Sequence, residues 1–277
     1  MIEVIIFLFG LAVGSFLNVL IDRLPRDESV IKGRSYCEHC KKPLLWYDLI
    51  PLLSFLILKG KCRHCHSPIS FYYPTVELVT GAMFVLVALF IFGNESEFSI
   101  TNFQFSIFNF QSKLNFHLYQ TPPLFYYLFI VSSLVVIFFA DLKYGIIPDK
   151  IVYPAILVSF LYLISQYPNI LISNILSALG AFLFFLLLFL ATRGRGMGFG
   201  DVKLVFLLGL FLGWPKVIVA FYIAFLTGAI IGCILILWRK KKFSGGTIAF
   251  GPFLVLGAIM AMFWGEQVLL KVARGIL

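Results

Sequence analysis

Apolar residues dominate this chain in long runs, and the polar positions fall almost wholly between them. Seven runs reach or approach the length of a spanning helix: Val4–Ile21, Thr75–Phe92, Leu124–Ala140, Ile151–Tyr167, Ile170–Ala191, Pro215–Trp238 and Ile248–Val268. Such a helix needs about 20 largely apolar residues. An eighth run, Val202–Leu212, has 11 residues. At about 1.5 Å of rise per residue it is too short to cross alone. It must begin before Asp201, lean on the Gly213–Pro215 turn, or sit where the bilayer is thin or wet. The pattern predicts an all-α polytopic membrane protein of about eight transmembrane helices.

Composition agrees, with 61% of the 277 residues hydrophobic and 13% charged. Soluble domains average about 45–50% apolar and about 25% charged. The net charge of +9 reads as topology once it is placed along the chain. With the amino terminus outside and eight crossings, four inside segments hold 18 Lys and Arg: Arg23 to Arg63, Lys143 with Lys150, Arg193 to Lys203, and Arg239 to Lys242. Only Lys113, Lys216, Lys271 and Arg274 lie outside. That is the positive-inside bias, and it argues against nucleic acid as a partner. It also requires Val202–Leu212 to cross, since otherwise Arg239–Lys242 would face outward. The first run lacks a basic leader and a small-residue cleavage site before Asp22, so it reads as a retained helix.

Four segments follow: 1–21, the first transmembrane helix; 22–74, a small cytoplasmic insertion; 75–123, a second helix and an outer loop; and 124–277, six closely spaced helices. The loop from Asn94 to Pro123 carries a short echo, NFQFS at 102–106 and NFQSK at 109–113, and no chemistry. Six helices in about 150 residues leave no room for a soluble catalytic domain. Chemistry in that half therefore occurs in or against the membrane.

The insertion holds CEHC and CRHC, with Cys37, Cys40, Cys62 and Cys65. Two C-x2-C knuckles supply tetrahedral thiolate ligation for zinc, and the metal supplies folding energy that so short a segment lacks. Two disulfides are the alternative, disfavoured in a reducing cytoplasm. Four protein ligands leave no open position, so the metal is structural. His39, His64 and His66 read as bystanders, and Cys233 as a packing residue. The segment PLLWYDLIPLLSFLILKGK between the knuckles is too interrupted to span; it lies on the membrane surface or shapes a pocket.

Acids near the apolar runs are few: Glu77, Asp141, Asp149, Asp201 and Glu266. An ionisable group in a membrane helix is a functional hypothesis by default. Asp141 ends SSLVVIFFAD and Asp201 begins the short crossing, both at cytoplasmic helix ends. Singly, each reads equally as an interfacial or capping residue, Asp201 as an N-cap. Together they offer a dyad sharing one proton, one acid activating water while the other polarises a peptide carbonyl. Gly196, Gly198 and Gly200 would let an extended substrate approach closely, or form a plain flexible turn.

These stretches together resemble a known family, the bifunctional bacterial prepilin leader peptidases with N-methyltransferase activity. The resemblance rests on GSFLNVLIDRLPR (14–26), RSYCEHCKKPLLWYDLIPLLSFL (34–56), KCRHCHSPISFYYPTVE (61–77), ADLKYGIIPD (140–149), GMGFGDVKL (196–204) and IAFGPFL (248–254). It implies a GxGD-type intramembrane aspartic protease of the bacterial inner membrane, with Asp141 and Asp201 as the catalytic pair and Gly198 and Gly200 in the catalytic loop. Asp149 competes for the first role; Asp141 is preferred because related archaeal enzymes resemble the motif with asparagine at the later position. The implied substrates are type IV prepilins or pseudopilins, whose basic leader is cut at the cytoplasmic face, usually between Gly and Phe. The new amino terminus is then methylated from S-adenosylmethionine. No glycine-rich cofactor loop appears in the insertion, so the methyltransferase rests on resemblance alone, with Trp46, Tyr47 and Asp48 as candidate cofactor contacts.

Two readings from other classes stand beside it. A proton-coupled transporter would need further mid-membrane polar residues and an internal repeat, and neither is evident. A zinc-ribbon assembly scaffold without catalysis would keep working after loss of either aspartate.

Overall fold

The computed structural model describes residues 2–30, 33–93, 110–194, 196–237 and 249–273. Among them are nine α-helices and no β-strand. Six helices are long and apolar enough to cross a membrane: Ile2–Arg26, Tyr72–Phe92, Pro123–Tyr144, Pro168–Ala191, Lys216–Ile234 and Gly251–Lys271. The protein is thus a multi-pass helical membrane protein. The other two expected crossings are helical but do not meet that measure, one being only 14 residues long. The echo at 102–106 and the basic run 239–242 lie outside the described residues.

The chain forms two compact units, residues 1–23 with 27–135 and residues 24–26 with 136–277. In the first, α1 (Ile2–Arg23) and α3 (Tyr72–Gly93) pack as a pair. Glycines permit this. A methyl group added at Gly10 would lie 2.8 Å from the Gly81 Cα, and one at Gly14 would lie 2.7 Å from the Glu77 Cα. Lipid provides no hydrophobic drive between helices, so such small-residue contacts let the backbones gain dispersion energy and hold the pair. At its polar end Asn18 donates to the Tyr73 carbonyl at 3.2 Å, and the Tyr73 hydroxyl donates to Asp22 at 3.0 Å.

The insertion emerges from this pair as two alike knuckles. Cys37 and Cys62 donate their backbone N–H to Lys42 and Ser67, and accept from Lys41 and His66, the residues that follow the second cysteine of each knuckle. Lys41 and His66 share a left-handed φ of 56° and 55°, and each knuckle closes on a proline bridge, Tyr36 with Pro43 and Lys61 with Pro68. Between them a short helix, α2 (Leu53–Ile57), exposes Leu53, Leu56 and Ile57.

α4 (Phe110–Tyr144) begins inside the segment expected as outer loop. The second unit takes its last turns, with α5 (Asp149–Gln166), α6 (Pro168–Ala191), α7 (Phe199–Leu212), α8 (Lys216–Leu237) and α9 (Gly251–Ala273). Its centre is α7, which packs on α5, α6, α8 and α9. Val202, Leu204, Val205, Leu207, Leu208 and Leu210 are all buried, as a helix apolar all round requires. Small residues again set the crossings: a methyl group at Gly209 would lie 2.6 Å from the Ala178 Cα, and one at Gly257 would strike the Ala220 carbonyl. The far end of α7 stops at Gly213, whose φ is 66°. There Asn174 of α6 donates to the Leu210 carbonyl at 3.0 Å, satisfying one of the helix's last carbonyls.

Candidate active site

Helix α7 starts before Asp201, at Phe199, so the acid sits in the first helical turn. Asp201 Oδ2 accepts the backbone N–H of Gly198, the N-cap, at 3.1 Å. The other oxygen, Oδ1, is buried with no partner. Asp141 lies in the last turn of α4, and its Oδ2 is likewise buried and unpartnered. The two side chains are 5% and 6% exposed, and Asp141 is near enough for its charge to act on Asp201. Each acid also faces a helix start: Asp201 that of α7, Asp141 the backbone amide of Gly251 at the head of α9. Such ends carry partial positive charge and suit a carboxylate. Two buried acids with free oxygens in mutual electrostatic range can divide the roles of base and acid.

Asp149 is placed otherwise. Half-exposed in the first turn of α5, it takes both of its oxygens to Lys203 Nζ at 2.8 Å. Its charge is answered on the spot, so it does not join the unpartnered pair.

The glycines of GMGFGD divide in role. Gly198 has an ordinary extended backbone, φ −78°, and provides the N–H that fixes Asp201. Gly200 provides space, since a methyl group there would come within 3.1 Å of Ile147 Cβ. The left-handed turn falls earlier, at Arg193 and Gly194.

Gly251 and Ile147 were not foreseen as site residues. A methyl group at Gly251 would lie 2.5 Å from Asp141 Oδ2 and 3.2 Å from Ile147 Cδ1. The available signal was IAFGPFL, in which a Gly–Pro step opens a helix, but nothing in it points to Asp141. Gly251→Ala should therefore displace the Asp141 carboxylate. We expect a loss of about 10- to 100-fold in any reaction that depends on these acids, the cost of a displacement of about 1 Å, with helix content unchanged by circular dichroism. Wild-type activity in that variant would remove Gly251 from the site.

The four cysteines converge on one point. Their sulfurs all lie within 4.8 Å of one another, and Cys37 Sγ is 3.8 Å from Cys65 Sγ. Thiolates about 2.3 Å from a tetrahedral zinc stand about 3.8 Å apart, so the set fits that ion. Two separate disulfides would need no such convergence. The electrostatics agree. Burial works to raise the Cys37 thiol, yet the backbone N–H groups of Cys40 and His39 bring it down to about 6. Cys40 is helped by the backbone at Lys42, but burial and the thiols of Cys65, Cys37 and Cys62 push it up to about 11. Some of these thiols ionise readily and the others then resist; a dication removes that conflict.

The remaining candidates serve the ribbon itself. Asp48 accepts Arg63 Nε at 2.8 Å and the Leu45 N–H at 3.2 Å. The Arg63 guanidinium stacks over Tyr47 at 4.8 Å, tying the middle segment to the second knuckle. Trp46 is 76% exposed.

Comparison with known proteins matches two stretches of the chain. Residues 8–91 match the model of the bacterial peptidase A24 N-terminal domain, and residues 128–233 that of the type IV leader peptidase family. The prepilin leader peptidase/N-methyltransferase of Legionella pneumophila is 32% identical over 292 residues, covering 95% of this chain and 91% of the relative. The protein of the same name from Bacillus subtilis strain 168 is 31% identical, covering 98% and 99%, and that of Aeromonas hydrophila 31%, covering 95% and 91%. No solved structure matches the chain. The chain belongs to the type IV leader peptidase family.

Proposed function

We propose that this protein is an intramembrane aspartic endopeptidase of the bacterial inner membrane, with Asp141 and Asp201 as its catalytic dyad. It removes the basic leader of type IV prepilins or pseudopilins at the cytoplasmic face and then methylates the new amino terminus. The observation that carries the reading is the pair of buried carboxylates, each with an oxygen lacking any partner. One ionised acid draws a proton from water as the water oxygen attacks the scissile carbonyl carbon, and its protonated neighbour donates to the carbonyl oxygen. The tetrahedral intermediate then collapses, the C–N bond breaking as the first acid passes its proton to the leaving amine and the second recovers its own. Gly198 holds Asp201 through its N–H, while Gly200 and Gly251 let Ile147 and the Asp141 carboxylate pack closely against the backbone.

In this reading peptidase chemistry belongs to residues 124–277 and methyl transfer to the insertion, residues 22–74. The ribbon's metal is zinc, held by Cys37, Cys40, Cys62 and Cys65 as a scaffold. S-adenosylmethionine supplies the methyl group, as an electrophilic carbon on a sulfonium. The exposed Trp46 ring is free to stack on its adenine; Tyr47 and Asp48 act through Arg63. The function is tested by incubating the protein in liposomes with a synthetic prepilin and the methyl donor. The expected product is the mature chain carrying one methyl group at its amino terminus, read by mass spectrometry. An intact prepilin with well-folded protein would overturn the reading.

A further inference from the structure

Another acid is buried without a cation. Glu77, in α3, is 8% exposed; its Oε2 accepts the Leu52 N–H at 2.9 Å, and the Ser15 hydroxyl of α1 lies beside it. No lysine or arginine among the described residues pairs with it. One turn nearer the polar end of the α1–α3 pair stands Asn18, 7% exposed. Its amide nitrogen is spent on the Tyr73 carbonyl, and its Oδ1 is buried with no partner. A buried carboxylate is costly unless paired and hydrogen-bonded, and an orphaned amide oxygen adds to that cost. Both are acceptors, and what both lack is a donor carrying positive charge. A primary ammonium, with three N–H groups on one cationic nitrogen, is the donor of that kind. Beside the site α2 exposes Leu53, Leu56 and Ile57, a surface suited to the apolar chain that such an amine would end.

We propose that Glu77 and Asn18 bind the amino-terminal ammonium of the cleaved chain for methyl transfer, an inference that rests on the peptidase and methyltransferase reading. The Glu77 carboxylate takes one proton from the ammonium, freeing the nitrogen lone pair. That pair attacks the methyl carbon of the sulfonium donor. The N–C bond forms as the C–S bond breaks, its electrons remaining on sulfur as a neutral thioether. The product is a secondary ammonium, and Glu77 returns its proton to solvent.

The test uses the full-length protein in liposomes with two substrates, a prepilin and the already mature chain. Glu77→Gln keeps an oxygen for the Leu52 N–H and removes the charge. It should lower methylation of the mature chain by about 100-fold or more, leaving prepilin cleavage and zinc content unchanged. Glu77→Asp should recover part of the loss, and Asn18→Leu should cost about 10-fold. Affinity for the mature chain over its N-acetylated form should fall in Glu77→Gln. Wild-type methylation in Glu77→Gln overturns the proposal. So does a parallel loss of methylation, cleavage and zinc, which would make Glu77 a strut for Leu52. A wild-type protein that cleaves without methylating would instead sink the reading beneath it.

Discussion

Asp141→Asn and Asp201→Asn should each lower prepilin cleavage by about 10³-fold or more, the upper range for loss of a positioned acid or base. Asparagine keeps the shape and removes the titratable proton. It also keeps an oxygen for the Gly198 N–H that Asp201 accepts at 3.1 Å, so α7 should begin where it does now. Because the acids act as one unit, the double variant should be scarcely worse than either single one. Asp149→Asn breaks only the half-exposed pair with Lys203. Its effect should stay within about fivefold, the range of such pairs. Single-turnover cleavage in liposomes, with helix content checked for each protein, reads all four. Full activity in the 141 or 201 variant would leave that acid a helix-end residue and end the dyad.

The second large effect belongs to the ribbon. Structural zinc contributes on the order of 10 kcal/mol or more to the folding of small thiolate domains. The insertion has little else, for its largest apolar side chains are exposed. Chelation, or Cys62→Ser at its one buried ligand, should therefore unfold the ribbon rather than weaken it. Bound zinc should drop, proteases should cut between the knuckles, and methylation should be lost. Cleavage should survive, since Asp141 and Asp201, the proposed dyad, lie in the other compact unit. The pH dependence has a fixed sign: the ligands must be thiolates, so protons compete, and zinc affinity falls as pH falls. A ribbon that stays protease-resistant with its metal removed would show that the site is not what folds it.

Much of this could be read in advance, for physical reasons. Lipid demands long apolar runs, so the helices stand out, and C-x2-C spacing is so constrained by ligand geometry that the four sulfurs were identifiable from their positions alone. The preference for Asp141 over Asp149 is different in kind. In sequence both are aspartates near a helix end; only packing shows that Lys203, 54 residues away, occupies one of them. Gly251 lies 110 residues from Asp141, and a glycine chosen for the space it leaves carries no local mark. Glu77 and Asn18 were equally hidden, because a missing partner is a property of three-dimensional surroundings. α4 begins at Phe110, ahead of its membrane-spanning part, which starts at Pro123; its first residues are polar enough that only the apolar run from Leu124 stands out in the sequence.

The brevity of α7 bears on how a cleavage site is chosen. Its 14 residues rise about 21 Å, against about 30 Å of hydrocarbon, yet it is enclosed by α5, α6, α8 and α9 and need not match the lipid around it. Packing on four neighbours fixes its first turn, and with it Asp201, at one level of the bundle. A substrate anchored by its own membrane segment presents a given peptide bond at a height set by where its basic residues stop at the lipid headgroups. If Asp141 and Asp201 are the catalytic pair, the enzyme should act as a depth gauge: shifting the cleavage site along a substrate relative to its membrane anchor should cost more than changing the residues that flank it.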